Sequence, residues 1–230
     1  MTEIHTQKVV FRPFVAFKDR QEAGQRLADY VNPSDTSESL VLALPRGGVP
    51  VAVALAKRIG APLQPVLVRK LPIPSSPEMG FGAVAIDGSR ILNAPVVEYY
   101  RVTEKEIESI TAEVREEVRR RARAYVGHDL APPAEGRVVY MVDDGLATGY
   151  SMIAAATMVR KLNPRRVVLA IPVSPYRSIL AVRSYFDSIF CLFAKEVGPF
   201  AVASYYEDFH DLSDDEVTEI LRHNNSAMAS

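Results

Sequence analysis

The sequence predicts an α/β fold, a parallel sheet flanked by helices, and three observations carry that prediction. Four apolar, β-branched runs stand out at residues 40–44, 66–71, 138–142 and 167–173, with a weaker fifth at 189–194. They are continuous rather than alternating, the pattern of strands covered on both faces. Helix-like segments at 49–59, 150–162 and 176–186 lie between several of them, and strands that alternate with helices pair in parallel. Right-handed crossovers then gather the strand C-termini, and the loops that follow them, on one edge.

With 230 residues, 48% hydrophobic and 24% charged, the chain has the size and composition of one globular domain. Lys+Arg 27 against Asp+Glu 28 leaves a formal net charge of -1. Nothing electrostatic therefore recommends a nucleic acid or an anionic membrane as partner. The apolar runs are too short to span a bilayer, and the opening "MTEIHTQK" lacks a signal-peptide pattern. The single cysteine, Cys191, lies inside an apolar run. It reads as a small core residue of a protein kept in the reducing cytoplasm.

Two stretches interrupt the strand–helix rhythm. Residues 72–95 are rich in Pro, Ser and Gly and contain "AVAIDGSRILN", where Asp87-Gly88 between apolar residues signals a hairpin. A long helix follows, opened by the capping box Thr103-x-x-Glu106. Its apolar seam is Ile107, Ile110, Val114, Val118 and Ala122, and Glu116–Arg120 and Glu117–Arg121 are spaced as i,i+4 pairs. The run "RRRAR" at 119–123 thus belongs to a solvated, mixed-charge face. A last helix starts at Ser213-x-x-Glu216, and the tail "NNSAMAS" reads as frayed.

The chemistry concentrates in "VVYMVDDGLATGYS", residues 138–151. An apolar strand ends in Asp143 and Asp144, passes a small-residue turn and opens a helix. Successive N–H groups at a helix N-terminus suit a phosphate, and Thr148 and Ser151 add hydroxyls while Gly149 lets backbone approach closely. Two carboxylates beside a phosphate cradle make sense when the ligand also carries hydroxyls or a divalent cation. A phosphorylated sugar with Mg²⁺ meets every part of this demand. Upstream, "LALPRGGVPVA" at 42–52 repeats the strand, glycine turn and helix start. By itself it reads as a surface turn; together with the string at 138–151 it reads as a diphosphate site built from Arg46, Gly47 and Gly48. Arg69 and Lys70 end the run at 66–71, and two cations there are either solvated or aimed at an anion. "GFGAVA" at 80–85 imitates a dinucleotide fingerprint but follows no strand-like run. The histidines at 5, 128, 210 and 223 have no metal-ligand spacing.

Over roughly residues 15–215 these strings resemble the type I phosphoribosyltransferases, and the chain is most similar to predicted members with no assigned substrate. The resemblance implies that Asp143 and Asp144 hold the ribose hydroxyls of 5-phosphoribosyl-1-pyrophosphate (PRPP) and nearby Mg²⁺. Ala147, Thr148, Gly149, Tyr150 and Ser151 would wrap its 5′-phosphate. Arg46, Gly47, Gly48, Arg69 and Lys70 would face pyrophosphate, with Arg46, Lys70 and the two aspartates in catalytic roles. Residues 72–95 take the place of a mobile lid, and about 196–215 that of a small hood. The implied reaction is Mg²⁺-dependent transfer of the phosphoribosyl group to a nitrogenous base or related acceptor. Its partners would be PRPP and that small molecule, with a homodimer as the candidate assembly and no nucleic acid or membrane.

Within the hood, Phe200, Tyr205, Tyr206 and Phe209 read equally well as an acceptor-stacking surface and as a small aromatic core. Two departures from the family bear on the acceptor. Members acting on 6-oxopurines carry Asp at the position of Ala147, and Tyr150 is bulky where small residues or Lys are common. A different class of function, a PRPP- or nucleotide-sensing protein that binds without turnover, fits the same residues.

Overall fold

The computed structural model describes residues 2–9, 15–32 and 38–228. In chain order it runs β1 (Glu3–Val9), α1 (Arg20–Val31), β2 (Ser39–Ala43), α2 (Gly48–Ile59), β3 (Leu63–Pro65), β4 (Val68–Ile73), β5 (Ser76–Ala85) and β6 (Arg90–Leu92). The second half comprises α3 (Ala94–Tyr99), α4 (Glu104–Val126), β7 (Val138–Val142), α5 (Tyr150–Lys161), β8 (Arg166–Pro175), α6 (Tyr176–Val182), β9 (Ser188–Lys195) and α7 (Asp214–Met228).

Six strands form one sheet in the order β1-β9-β8-β7-β2-β3, and every pairing in it is parallel. Each residue of β2 and of β7 is buried, as their unbroken apolar runs require of strands covered on both faces. Cys191 is fully buried in β9, and burial pushes its thiol up to about 12.

The run at 66–71 does not form one strand of this sheet. Leu63, Gln64 and Pro65 pair with β2, the Val66 N–H makes a last bond to the Ala43 carbonyl at 2.8 Å, and the chain then leaves. Its continuation, β4, joins β5 and β6 in a separate antiparallel sheet. Arg69 and Lys70 supply the reason, because a covered strand would strip both cations of water.

The small sheet has its own apolar cluster. Leu71, Ile73, Phe81 and Val84 pack against Val102, Ile107 and Val114, and burying each of the large side chains is worth about 1.5–3 kcal/mol. The expected turn at Asp87-Gly88 is present, with Gly88 at φ +89 and the Ala85 N–H donating to the Ser89 carbonyl. Residues 81–86 are all buried, whereas the side chains of Pro74, Ser75, Pro77, Glu78 and Met79, in the turn and the first residues of β5, are exposed.

Helix α4 carries the predicted capping box at Thr103 and Glu106. Its charge pairs differ from expectation at one place: Glu116 pairs with Arg119, and Arg120 turns to Glu117. The Glu117–Arg121 pair forms as read. Helix α7 begins at Ser213, whose hydroxyl accepts from the Glu216 N–H while its own N–H donates to the Glu216 carboxylate. That helix continues to Met228, where the sequence reading has a frayed tail. The segment at 176–186 is helical only to Val182 and closes in a 3₁₀ turn over Arg183–Tyr185. Strand β1 and helix α1 have no counterpart in the sequence reading. An edge strand with mostly exposed side chains, "EIHTQKV", offers no apolar run to find.

Candidate active site

Strands β2 and β7 are neighbours in register, with Ala43 opposite Val142. The loops that follow them therefore leave the same sheet edge side by side. The Leu44 N–H donates to the Val142 carbonyl at 2.9 Å, and the Gly48 N–H then turns back to the Leu44 carbonyl at 3.0 Å. That bond commits one of the two glycine N–H groups expected to face pyrophosphate. The Pro45–Arg46 peptide bond is cis.

Five helices of twelve or more residues are described, and their starts fall into two kinds. Those of α1, α4 and α7 are capped by Asp19, Thr103 and Ser213 and carry acidic residues in the first turn. Those of α2 and α5 have glycine at the N-cap, no side-chain cap and no acidic residue in the first turn. First-turn N–H groups lack intrahelical acceptors and carry the positive end of the helix dipole. The two uncapped starts, at Gly47 and Gly149, follow the two loops at this edge. Gly149 must be glycine, since its φ is +89 and a Cβ there would lie 2.5 Å from Val182.

Asp143 and Asp144 sit between these helix starts. The Asp143 carboxylate accepts from the Asp144 N–H at 2.8 Å. Burial, followed by the charge of Asp144, raises the Asp143 carboxyl well above the usual range. Burial also raises Asp144, against the pull of Arg20. The Arg20 Nε donates to Asp144 Oδ2 at 2.8 Å, with both side chains nearly enclosed. The Tyr206 hydroxyl donates to the Asp144 carbonyl at 2.6 Å, and burial pushes that phenol's ionisation far up, keeping it a donor.

Thr148 and Ala147 are exposed at the turn, and Tyr150 and Ser151 are half-buried on the first turn of α5. The Ala147 carbonyl accepts from the Ser178 hydroxyl at 2.6 Å, which pins the turn to α6. The loop is thus held from behind and open in front.

The expected pyrophosphate cations already have protein partners. Arg46 lies 3.9 Å from Asp214 on α7. Arg69 bonds Glu117 at 3.1 Å, and Glu117, held chiefly by Arg120, stays ionised down to about 2. Lys70 is exposed and its ammonium donates to the Glu78 carbonyl. Arg69 and Lys70 line a cleft of about 760 Å³ between the small sheet and α4, with Glu113 and Glu116 opposite. They are not brought against Asp143 and Asp144 by any contact described.

The hood residues divide. Tyr205 and Tyr206 are 1% and 5% exposed, so their rings belong to the core and cannot stack on an acceptor, which corrects that half of the reading. Phe200 packs on Tyr205, and Phe209 packs on Tyr206; both are only partly buried. One face of Phe209 is covered by the Arg20 guanidinium, 3.8 Å from the ring centre.

Among the described residues no three or more His, Cys, Asp or Glu side chains form a metal cage. Two carboxylates that repel one another can still hold a hard cation whose other ligands are phosphate oxygens and water, which is how Mg²⁺ is commonly bound. Asp143 and Asp144 fit that role. Among the described residues no helix is long and apolar enough to cross a membrane.

Arg20 is the site residue that the sequence reading misses. Its partner lies 124 positions away, and no local motif could announce the pair. The only nearby signal is Asp19 as the N-cap of α1.

A family model described as a phosphoribosyl transferase domain matches residues 17–206. Two curated relatives from Mycobacterium tuberculosis strains, provisionally named phosphoribosyl transferases, are 38% identical over 205 residues. That alignment covers 89% of this chain and 46% of theirs, so the chain spans about half the length of those relatives. A crystal structure from Thermus thermophilus is 37% identical, with a TM-score of 0.74, covering 90% of this chain and 98% of that one.

Proposed function

The chain belongs to the phosphoribosyl transferase domain family, and on that premise we propose that it transfers the 5-phosphoribosyl group of PRPP to a nitrogen acceptor. The observation that carries this reading is the pair of uncapped helix starts with Asp143 and Asp144 between them. Both starts turn the positive end of a helix dipole to this edge, and α5 adds open first-turn N–H groups. At α2 the Gly48 and Val49 N–H groups bond the Leu44 and Arg46 carbonyls, and Pro50 has none. With two carboxylates beside them, these starts suit a sugar with phosphate groups at both ends, the second held mainly by charge.

In the reaction the bond from C1 of the ribose to pyrophosphate breaks as a bond from C1 to the acceptor nitrogen forms. The sugar passes through an oxocarbenium-like state, so holding the leaving group and the ring matters most. Asp143 and Asp144 would orient the ribose hydroxyls. The turn at 147–151 would anchor the 5′-phosphate through first-turn N–H groups, Thr148 and Ser151. Arg46 and the α2 start would take up pyrophosphate charge. Arg69 and Lys70 would join them by exchanging Glu117 and the Glu78 carbonyl for phosphate oxygens as the turn near 74–79 closes. Mg²⁺, held by Asp143, Asp144 and phosphate oxygens, would supply further positive charge to the leaving group.

The test is a panel of acceptors incubated with PRPP and Mg²⁺, followed by pyrophosphate release. Release dependent on one acceptor supports the proposal. Tight PRPP binding with no release for any acceptor would assign the chain to ligand sensing instead.

A further inference from the structure

We infer that Arg20 is a positioning residue for Asp144 and ties that carboxylate to the segment that follows Tyr205. The inference rests on the proposed use of PRPP for its consequence, though its geometry does not.

Asp144 is fixed at three points. Its N–H is held by Asp143, its carbonyl by Tyr206 and its carboxylate by Arg20. The last two come from outside the loop, and they come as one unit. The N–H groups of Ala16 and Phe17 both donate to the Tyr205 carbonyl at 2.9 Å. The Glu207 N–H returns to the Phe17 carbonyl and the Asp208 N–H to the Lys18 carbonyl. The lead-in to α1 and residues 205–208 are thus laced together, and this unit presents both Arg20 and Tyr206 to Asp144.

Arg20 occupies the joint. While Nε binds Asp144, Nη1 donates to the His210 carbonyl at 2.9 Å and the guanidinium plane covers Phe209. A rigid planar fork can serve two acceptors in different directions and an aromatic face together. A lysine ammonium reaches one of the two. Only 7% of Arg20 is exposed, so water cannot replace these bonds cheaply. Arg20 holds Oδ2 of Asp144 and so fixes the plane in which the carboxylate can accept from a ribose hydroxyl. The position of the hood and the aim of Asp144 are therefore set by the same side chain.

Arg20→Gln and Arg20→Lys in the full chain test this. With Mg²⁺ present, calorimetry should show Arg20→Gln binding PRPP about tenfold or more weakly, the size expected when a charge-assisted bond is lost. Affinity for inorganic phosphate, which needs only the turn at 147–151, should stay near the unsubstituted value, and Arg20→Lys should recover part of the PRPP loss. In the ligand-free proteins, amide exchange at Asp144, Glu207 and Asp208 should quicken in Arg20→Gln while strand β8 stays protected. Unchanged exchange at those three amides, or equal losses for PRPP and phosphate, would overturn the inference. Failure of the unsubstituted protein to bind PRPP would count against the proposed reaction alone, and the exchange measurement then decides the role of Arg20.

Discussion

A methyl group on Gly47 would sit 1.9 Å from Oδ2 of Asp144, the oxygen that Arg20 holds. The two loops of the site are in contact here, with no space for a side chain. Gly48 is equally confined, but by backbone: a Cβ there would lie 2.7 Å from the Val142 carbonyl oxygen and 2.9 Å from the Asp143 Cα.

The neighbours predict different outcomes for two similar substitutions. Gly47→Ala must push aside a short side chain that Arg20 clamps, so PRPP affinity should fall about tenfold or more, as when a bond to a charged group is lost, and Tm should fall with the strained Arg20 pair. Gly48→Ala must move strand backbone and should cost about 1–3 kcal/mol of stability. Calorimetry and thermal melts of both variants check this. Unchanged PRPP affinity in Gly47→Ala would mean that the Asp144 side chain yields without consequence for the site.

Asp143 should be a liability to the free protein at neutral pH. Its carboxyl is raised by burial and by Asp144. A raised folded value means the stabilising form is the protonated one, present at low pH and lost as pH rises through that value. Asp143→Asn keeps the acceptor for the Asp144 N–H and removes the charge. Its Tm at pH 7 should exceed that of the unsubstituted chain, by about 2–4 °C for each kcal/mol recovered. The gap should close as pH falls into the ordinary carboxylate range. A gap that grows with acid would reverse the sign and refute this account.

Proteolysis should find the exposed stretch at 74–79 and spare residues 81–86. Pro74, Ser75, Pro77, Glu78 and Met79 are exposed, whereas residues 81–86 are buried. PRPP with Mg²⁺ should protect the turn if it closes over the ligand. Cleavage there at the same rate with and without ligand would make it a static hairpin.

The acceptor should be recognised without an acidic side chain at residue 147. Ala147 has none, and its carbonyl is already bonded to Ser178. With Tyr205 and Tyr206 in the core, Phe200 and the open part of Phe209 are the rings left for stacking. Hypoxanthine and guanine are therefore expected to be poor acceptors beside adenine, a pyrimidine or a non-nucleobase amine in steady-state comparison at saturating PRPP. Efficient turnover of either 6-oxopurine would show that another group, such as Glu78, supplies the missing carboxylate.

The sequence by itself determined strands β2, β7, β8 and β9 and the loops that follow β2 and β7. Unbroken apolar runs, glycine turns and a carboxylate pair are local features, legible within a dozen residues because strand burial and turn formation are local physics. It also marked the turn at Asp87-Gly88 and the caps at Thr103 and Ser213 for the same reason. The tertiary structure decided what the aromatic residues near 205 do. Burial depends on what packs above a ring, so Tyr206 became a core residue whose hydroxyl reaches the Asp144 carbonyl. It also moved β4 out of the main sheet, because Arg69 finds Glu117 only once α4 lies beside it. Arg20 and Asp144 are the plainest case: a buried ion pair between residues 124 positions apart exists only when α1 and the end of β7 are brought together.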